Sequence, residues 1–226
     1  MMEQKPLVSI IIPTLNEARK IRELLQELQF LSGIEIIVSD GGSTDDTLKI
    51  CHTYPVKVCT GTAGRGIQLN IGAQAARADI LLFLHADCHI STELIQQLID
   101  AVGRGQMWGC AQITFDDPAV FFKCLAFVSN WRARVLSSCF GDQAIFCQKD
   151  YFNKIGMFPE TIFLEDLAFS HIARRQQRAF VVEGKVLSSS RRFHDGGKWK
   201  TFIKMQCIKS LYFLGVRPDR LYSMYR

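Results

Sequence analysis

Apolar and polar positions alternate in a regular way over the first hundred residues. Continuous apolar runs rich in β-branched residues predict buried strands at residues 7–13, 34–39, 56–59 and 80–84. Helical spacing of apolar residues and helix-starting residues between these runs predict helices at residues 18–28, 45–51, 67–76 and 92–102. Strands separated by helices indicate a mostly parallel central sheet with helices on both faces. We therefore expect an α/β fold.

The first of these helices has a candidate N-terminal cap. Thr14 and Glu17 have the spacing of a capping box, in which the two side chains bind backbone N–H groups at the start of a helix. The pattern thus predicts that Thr14 caps the helix that follows it.

The second half of the chain is less regular. Strand candidates lie at residues 108–115, 144–147, 180–182 and 186–187. Helix candidates lie at residues 118–140, 150–155, 164–175 and 198–214. We find no linker, repeat or low-complexity segment, and we therefore treat residues 1–226 as a single domain.

The composition is that of an ordinary globular protein, with 48% hydrophobic and 22% charged residues. No apolar run approaches the roughly 20 residues that a membrane-spanning helix needs. The N-terminus lacks the features of a secretory signal, so we expect a cytoplasmic protein. The eight cysteines show no paired spacing, which favours free thiols over disulfides or a zinc site.

The net charge of +5 is unevenly distributed, because the segment from Arg191 onward has nine basic and two acidic residues. Large apolar residues are interleaved with basic ones there and at residues 118–140. Such segments can contact phosphates or lie on the inner face of a membrane. A solvated helix face, a homodimer interface or plain core packing explains them more simply. We expect no nucleic-acid partner.

Polar residues follow the ends of the predicted parallel strands, where open α/β sheets bind ligands. They are Thr14, Asn16, Asp40, Arg65, His85 and Asp87. Asp40 opens DGGSTDDT, and its carboxylate can accept hydrogen bonds from a base or a ribose, or organise a turn. Arg65 lies in GTAGRG, which lacks the spacing of a dinucleotide or P-loop motif. That loop is either a mobile surface loop or a diphosphate site with Arg65 as the bidentate partner.

Asp87 is a candidate ligand for a divalent cation, because a carboxylate after a buried strand offers a hard oxygen beside bound phosphates. His85 lies two residues earlier, on the same side of an extended chain. Its imidazole either ligates Mn²⁺ or acts as a hydrogen-bonding strut.

Glu165 and Asp166 begin a predicted helix. Acids at that position either complement the helix dipole or act as a general base toward an acceptor hydroxyl. Arg191 and Arg192 open the basic tail, where they either clamp a diphosphate or lie on a flexible loop.

The segments VSIIIPTLNE, IEIIVSDGGSTDDT, ADILLFLHAD and LED together resemble glycosyltransferase family 2 and its A-type, Rossmann-like fold. The segments GRGIQLNIGAQAARADILLFLHAD, SSSRRF and LYFLGVRPDRLYSMYR resemble a bacterial subgroup called radical-SAM/selenodomain-associated transferase 2. The resemblance implies a nucleotide-sugar-binding half at residues 1–103. It implies an acceptor-binding half at residues 104–226 that ends in a basic amphipathic segment.

The resemblance also implies roles for individual residues. Nucleotide contacts are implied at Pro13, Thr14, Glu17, Asp40 and Arg65. Asp87 corresponds to the acid that binds the metal and the donor diphosphate, and Asp166, next to Glu165, corresponds to the catalytic base. Two departures stand out, because Gly41 and His85 occupy positions where the family usually has acids.

We therefore expect an inverting glycosyltransferase of the hexosyltransferase class. It would move a sugar from a UDP- or GDP-linked donor to an acceptor hydroxyl with Mn²⁺ or Mg²⁺. One alternative is a sugar nucleotidyltransferase, although IIPTLNEARK lacks a glycine-rich phosphate loop after the first strand. The other alternative is a non-catalytic protein that binds nucleotide sugars or docks on a membrane.

Overall fold

The structure is a computed structural model that describes residues 5–161 and 163–225. The strands are β1 (Val8–Thr14), β2 (Ile34–Asp40), β3 (Lys57–Thr60), β4 (Ile80–Phe83), β5 (Cys88–His89), β6 (Trp108–Phe115), β7 (Ile145–Gln148) and β8 (Phe180–Ser188). The helices are α1 (Ala18–Leu28), α2 (Thr47–Cys51), α3 (Arg65–Ala75), α4 (Thr92–Gly103), α5 (Val120–Leu136), α6 (Lys149–Lys154), α7 (Glu165–Ala173), α8 (Arg191–Gly196), α9 (Lys198–Phe213) and α10 (Pro218–Tyr225). A short 3₁₀ turn, Gly141–Gln143, lies before β7.

One sheet runs through both halves of the chain in the order β3-β2-β1-β4-β7-β6-β8-β5. The first four strands of that order are parallel, and β7 is antiparallel to both β4 and β6. The register places Thr14 directly opposite Asp40, so β1 and β2 end side by side. The parallel strands therefore present their carboxyl ends along one edge, as the sequence pattern predicts.

Helices cover both faces of the sheet, which confirms the predicted fold class. Alternate residues of β1 point to opposite sides, as they must in a strand. Ile10 and Ile12 lie in the apolar cluster that includes α1 and α4, whereas Ile11 lies in the cluster that includes α3, α6 and α7. All three isoleucines are fully buried, as expected of strands covered on both sides.

Aromatic packing joins α7 to the sheet in the second half. Phe169 of α7 stacks against Phe158 with ring centroids 4.6 Å apart, and against Phe152 at 5.7 Å. Phe83 of β4 contacts both Phe152 and Phe158. This cluster places the start of α7 beside the end of β4.

The predicted capping box at Thr14 is wrong, because Thr14 is the last residue of β1 and α1 begins at Ala18. The side chains that bind the N-terminus of α1 come from the loop after β2. Thr47 Oγ1 accepts from the N–H of Glu17 at 2.9 Å, and Asp45 Oδ2 accepts from the N–H of Ala18 at 3.1 Å. Thr14 Oγ1 instead donates to Asp40 Oδ2.

Two strands in the second half also differ from the prediction. The segments at residues 180–182 and 186–187 belong to one strand, β8, which continues through Gly184. The two-residue strand β5 was not predicted, and it pairs antiparallel with the end of β8. None of the helices in the described part of the chain has the length and apolarity needed to cross a bilayer.

Candidate functional site

A cavity of about 770 Å³ lies at the carboxyl ends of β1 and β4. Residues that the sequence predicts for the first half of the site and that line it are Pro13, Thr14, Glu17, Arg65, His85 and Asp87. Those from the second half are Glu165, Asp166, Arg191 and Arg192. The fold thus brings ten of the eleven predicted site residues to one cavity. Asp40 is the exception.

Asp40 lies behind the cavity wall, with no exposed surface. Its carboxylate accepts four hydrogen bonds, from Thr14 Oγ1 at 3.0 Å, Gly42 N at 2.9 Å, Ser43 N at 2.8 Å and Ser43 Oγ at 2.5 Å. Burial alone would raise the pKa of Asp40, but the hydrogen bonds from Ser43, Gly42 and Thr14 lower it below its ordinary value. Because these bonds occupy its acceptor sites, Asp40 holds Thr14 and the following loop in place in this conformation. A direct contact with the nucleoside stays a prediction.

His85 and Asp87 stand together with Cys88 just after β4. One ligand atom from each of the three lies within 4.8 Å of the others. His85 Nε2 is buried without a hydrogen-bond partner among the described residues, which does not support a strut role for that nitrogen. Burial, together with the positive charges of Arg65 and Arg192, lowers the pKa of His85 well below its ordinary value.

This arrangement fits a divalent cation. A neutral imidazole keeps a lone pair on one ring nitrogen, and the low pKa of His85 keeps the ring neutral at physiological pH. Asp87 supplies the hard oxygen ligand beside it. The mixed nitrogen and oxygen set suits Mn²⁺ better than Mg²⁺, which prefers oxygen ligands alone.

Arg65 is the first residue of α3, rather than part of the glycine loop. Its Nη1 lies 3.6 Å from Glu165 Oε1, an ion-pair separation that is too long for a hydrogen bond. Burial would lower the pKa of Arg65, but the carboxylates of Glu165, Asp166 and Asp87 raise it. Burial and the neighbouring Asp166 raise the pKa of Glu165 to about 7. Glu165, with a side chain only 3% exposed, is therefore the buried partner of Arg65, and it becomes a full counter-ion only as pH rises through about 7.

Asp166 faces the cavity with its carboxylate oriented by two backbone N–H groups. Oδ2 accepts from Gly141 N at 2.8 Å, and Oδ1 accepts from Leu167 N at 2.7 Å. The preceding Leu164 has a φ of 61°, a left-handed conformation that non-glycine residues rarely adopt and that is concentrated at functional sites. Each oxygen of Asp166 keeps a lone pair that can take a proton.

Three guanidinium groups, those of Arg65, Arg191 and Arg192, line the cavity. Arg191 and Arg192 begin the short helix α8, so the flexible-loop interpretation of this segment is wrong. Burial and the like charge of Arg65 lower the pKa of Arg192. Like charges held together in this way are relieved by a bound anion, and bidentate arginine contacts are typical of diphosphate recognition.

Sequence patterns missed two charged residues of the cavity wall, Asp142 and Lys209. Burial raises the pKa of Asp142 to about 6, and burial with the nearby Arg132 lowers the pKa of Lys209 to about 8. The ring of Phe140 lies 3.7 Å from the Arg132 guanidinium carbon and 5.0 Å from Lys209 Nζ. Neither Asp142 nor Lys209 follows a strand of the parallel half, so the pattern of polar residues at strand ends does not predict them.

The profile of the family described as "Glycosyl transferase family 2" matches residues 9–152. The chain belongs to glycosyl transferase family 2. The matched range includes the first-half residues of the cavity and ends before α7. The matched range therefore covers nearly all of the predicted nucleotide-sugar-binding half, whereas Glu165, Asp166, Arg191 and Arg192 lie outside it.

Sequence relatives of this family 2 chain are longer proteins. It is 35% identical over 107 residues to "Dolichol-phosphate mannosyltransferase" of Pyrococcus furiosus, covering 43% of this chain and 30% of the relative. It is 31% identical over 116 residues to "4,4'-diaponeurosporenoate glycosyltransferase" of Staphylococcus haemolyticus, covering 47% of this chain and 31% of the relative. The chain thus aligns with about a third of the length of these curated relatives.

Solved structures confirm the A-type glycosyltransferase fold. The crystal structure of TarS from Staphylococcus aureus superposes with a TM-score of 0.66 at 19% identity, covering 81% of this chain and 36% of that one. The mannosyltransferase PcManGT from Pyrobaculum calidifontis, solved in complex with GDP-Man and Mn²⁺, gives a TM-score of 0.64 at 19% identity. That match covers 91% of this chain and 63% of the other.

Proposed function

We propose that the protein is an inverting glycosyltransferase that uses a nucleotide-diphosphate sugar and a divalent cation. The observation that carries the proposal is the single cavity in which Asp87, three arginines and Asp166 meet. Cation ligands, diphosphate partners and a base are the groups that glycosyl transfer from such a donor requires. The Mn²⁺ and GDP-Man present in the PcManGT structure support the same assignment.

The donor side consists of residues 1–103 together with α8. Asp87 and His85 would hold the cation, which when bound supplies positive charge beside the departing diphosphate. Arg65, Arg191 and Arg192 bind the diphosphate oxygens, and the carboxylate of Glu165 keeps Arg65 in place. Because these charges are fixed before the reaction, they stabilise the leaving group without rearrangement.

Asp166 is the proposed base. The Gly141 N–H holds its Oδ2 in the cavity, and its Oδ1 is held by the Leu167 N–H. It takes the proton from the acceptor hydroxyl as that oxygen attacks the anomeric carbon and the bond to the diphosphate breaks. A single in-line displacement of this kind inverts the configuration at that carbon.

The acceptor side comes from residues 104–226. Phe140, Asp142, Met205, Ile208 and Lys209 line the cavity on this side. They combine apolar surface with two charged groups whose pKa values are shifted toward neutrality. We assign acceptor binding to this wall.

All eight cysteines are free, which supports the expectation of a cytoplasmic location.

The test is release of nucleoside diphosphate from a panel of UDP-, GDP- and dTDP-linked sugars, measured with Mn²⁺ and again after chelation. We expect slow hydrolysis of one nucleotide class without an acceptor, and its loss with the metal chelator. Failure of every donor both to bind and to react would contradict the proposal.

A further inference from the structure

The helix α5 presents an apolar stripe to solvent. Val120, Phe127, Val128 and Trp131 are 72%, 71%, 56% and 52% exposed, and Val135 continues the stripe. Their spacing places them on one side of the helix. The opposite side buries Phe122 and Ala133 in the domain. Large exposed apolar patches usually mark an interaction site, and the outer side of α5 has no covering partner in the described part of the chain.

The helix α9 repeats this pattern. Trp199 is 69% exposed, Ile203 57% and Phe213 63%, and Cys207 lies between them on the same side. The two stripes meet where the ring of Phe121 packs against Trp199 with centroids 5.1 Å apart. We call the two stripes together the α5–α9 face, which consists of Val120, Phe127, Val128, Trp131, Val135, Trp199, Ile203 and Phe213.

The charge of the two helices indicates which kind of partner covers the α5–α9 face. Three basic residues lie on α5 and four on α9, and neither helix contains an acidic residue. Of these, Lys123 and Lys200 are exposed beside the stripes. Arg134 pairs with Glu183 at 2.8 Å, Lys198 pairs with Asp117 at 3.3 Å, and Lys209 lines the cavity. A second copy of this chain would bring the same cations together at an interface between copies, which is unfavourable. Exposed aromatic and aliphatic residues flanked by lysines are typical of helices that lie in an anionic membrane surface.

We propose that the α5–α9 face docks the protein on an anionic membrane surface. Both helices would lie parallel to the bilayer, with Phe127, Trp131 and Trp199 among the acyl-chain boundary and the lysines at the headgroups. This docking requires no catalysis, and it stands independently of the proposed transferase activity.

Docking would also place the cavity near the membrane. The side of α9 opposite the stripe contributes Met205, Ile208 and Lys209 to the cavity wall. One helix diameter, about 10 Å, therefore separates the docked surface from the acceptor side. An acceptor anchored in the lipid surface would reach that wall with a short polar spacer.

The test is flotation of the full chain with two kinds of vesicle. One contains phosphatidylcholine alone, and the other also contains about 30% phosphatidylglycerol, a charge density at which polybasic segments bind. We expect co-flotation with the anionic vesicles only, weakening as salt is raised. The double variant Phe127→Glu/Trp131→Glu lowers the partition coefficient more than about tenfold. Lys123→Gln/Lys200→Gln lowers it roughly fivefold for each cation removed.

Matched controls are Phe30→Glu and Lys49→Glu, which change exposed residues outside the α5–α9 face. Both controls should float like the unchanged chain, and all variants should keep its melting temperature. Absence of flotation with anionic vesicles, or equal loss of flotation in the controls, would overturn the proposal. A dimer in solution that dissociates in Phe127→Glu/Trp131→Glu, with no flotation at all, would assign the face to a second copy instead.

Discussion

At the scale of the residue, two adjacent acids at the start of α7 have different surroundings. Glu165 is buried against Arg65, whereas Asp166 is held toward the cavity by the Gly141 N–H. Successive helix positions are rotated by about 100°, so neighbouring side chains face different partners. The sequence predicts acids at a helix start, but only the packing of α7 against the aromatic cluster decides which one is buried against Arg65 and which one is held by the Gly141 N–H.

Asp166→Asn should keep nucleotide binding and lose transfer. The amide retains the shape of the side chain but cannot accept a proton, so we expect transfer to fall about 10²- to 10⁴-fold. Asp150→Asn is the matched control, because Asp150 is also an acid in the first turn of a helix and is exposed away from the cavity. Transfer by Asp166→Asn at the rate of that control would remove Asp166 as the base.

The raised pKa of Glu165 predicts how the free energy of unfolding depends on pH. Burial raises its pKa from 4.5 to about 7, so the folded state holds a proton that the unfolded chain has released. The stability that this proton uptake contributes is fully present below pH 4.5 and is lost as pH rises toward 7. Glu165→Gln lacks this titration, so its stability relative to the unchanged chain should rise by about 3 kcal/mol between pH 4 and pH 8.

The measurement for this prediction is urea unfolding of both proteins from pH 4 to 8. Glu160→Gln, a change at an exposed glutamate, serves as the control and should leave the pH dependence unaltered. A stability difference between Glu165→Gln and the unchanged chain that is the same at pH 4 and pH 8 would contradict the assignment of a raised pKa.

At the scale of the element, periodicity located the parallel strands and their helices because each buries a continuous apolar run. It failed at the start of α1, where the capping groups Asp45 and Thr47 come from a loop distant in sequence. The break predicted within β8 has a similar origin. Gly184 lies in β8 because its lack of a side chain lets Leu94 of α4 pack closely. Such tertiary contacts are invisible to a local pattern.

The strand β6 depends on a glycine where it pairs with β8. Gly109 is opposite Phe180 in the parallel register, and a Cβ there would overlap the Phe180 carbonyl oxygen and contact the Phe146 ring at 2.8 Å. Because backbone atoms cannot move aside cheaply, Gly109→Ala should destabilise the protein by about 3 kcal/mol. Gly103→Ala is the control, since nothing lies within 4 Å of its added Cβ. Equal urea midpoints for the two variants would contradict this packing.

At the scale of the whole molecule, the site depends on one sheet that joins both halves of the chain. The residues that follow β1 and β4 were predictable, because parallel strands end at the same edge. Asp142 and Lys209 were not, because a 3₁₀ turn and α9 bring them to the cavity from the irregular half. Asp40 shows a third case, in which a strand-end acid is at the predicted edge but holds the loop behind the cavity wall.

The central claim is that the cavity binds a nucleoside diphosphate through a cation held at Asp87. Calorimetric titration of GDP and of UDP into the unchanged chain and Asp87→Asn, each with and without Mn²⁺, tests it most directly. We expect one nucleotide to bind the unchanged chain in a Mn²⁺-dependent manner, and Asp87→Asn to weaken that binding more than about tenfold. Mn²⁺-dependent binding of equal affinity in Asp87→Asn would contradict the account.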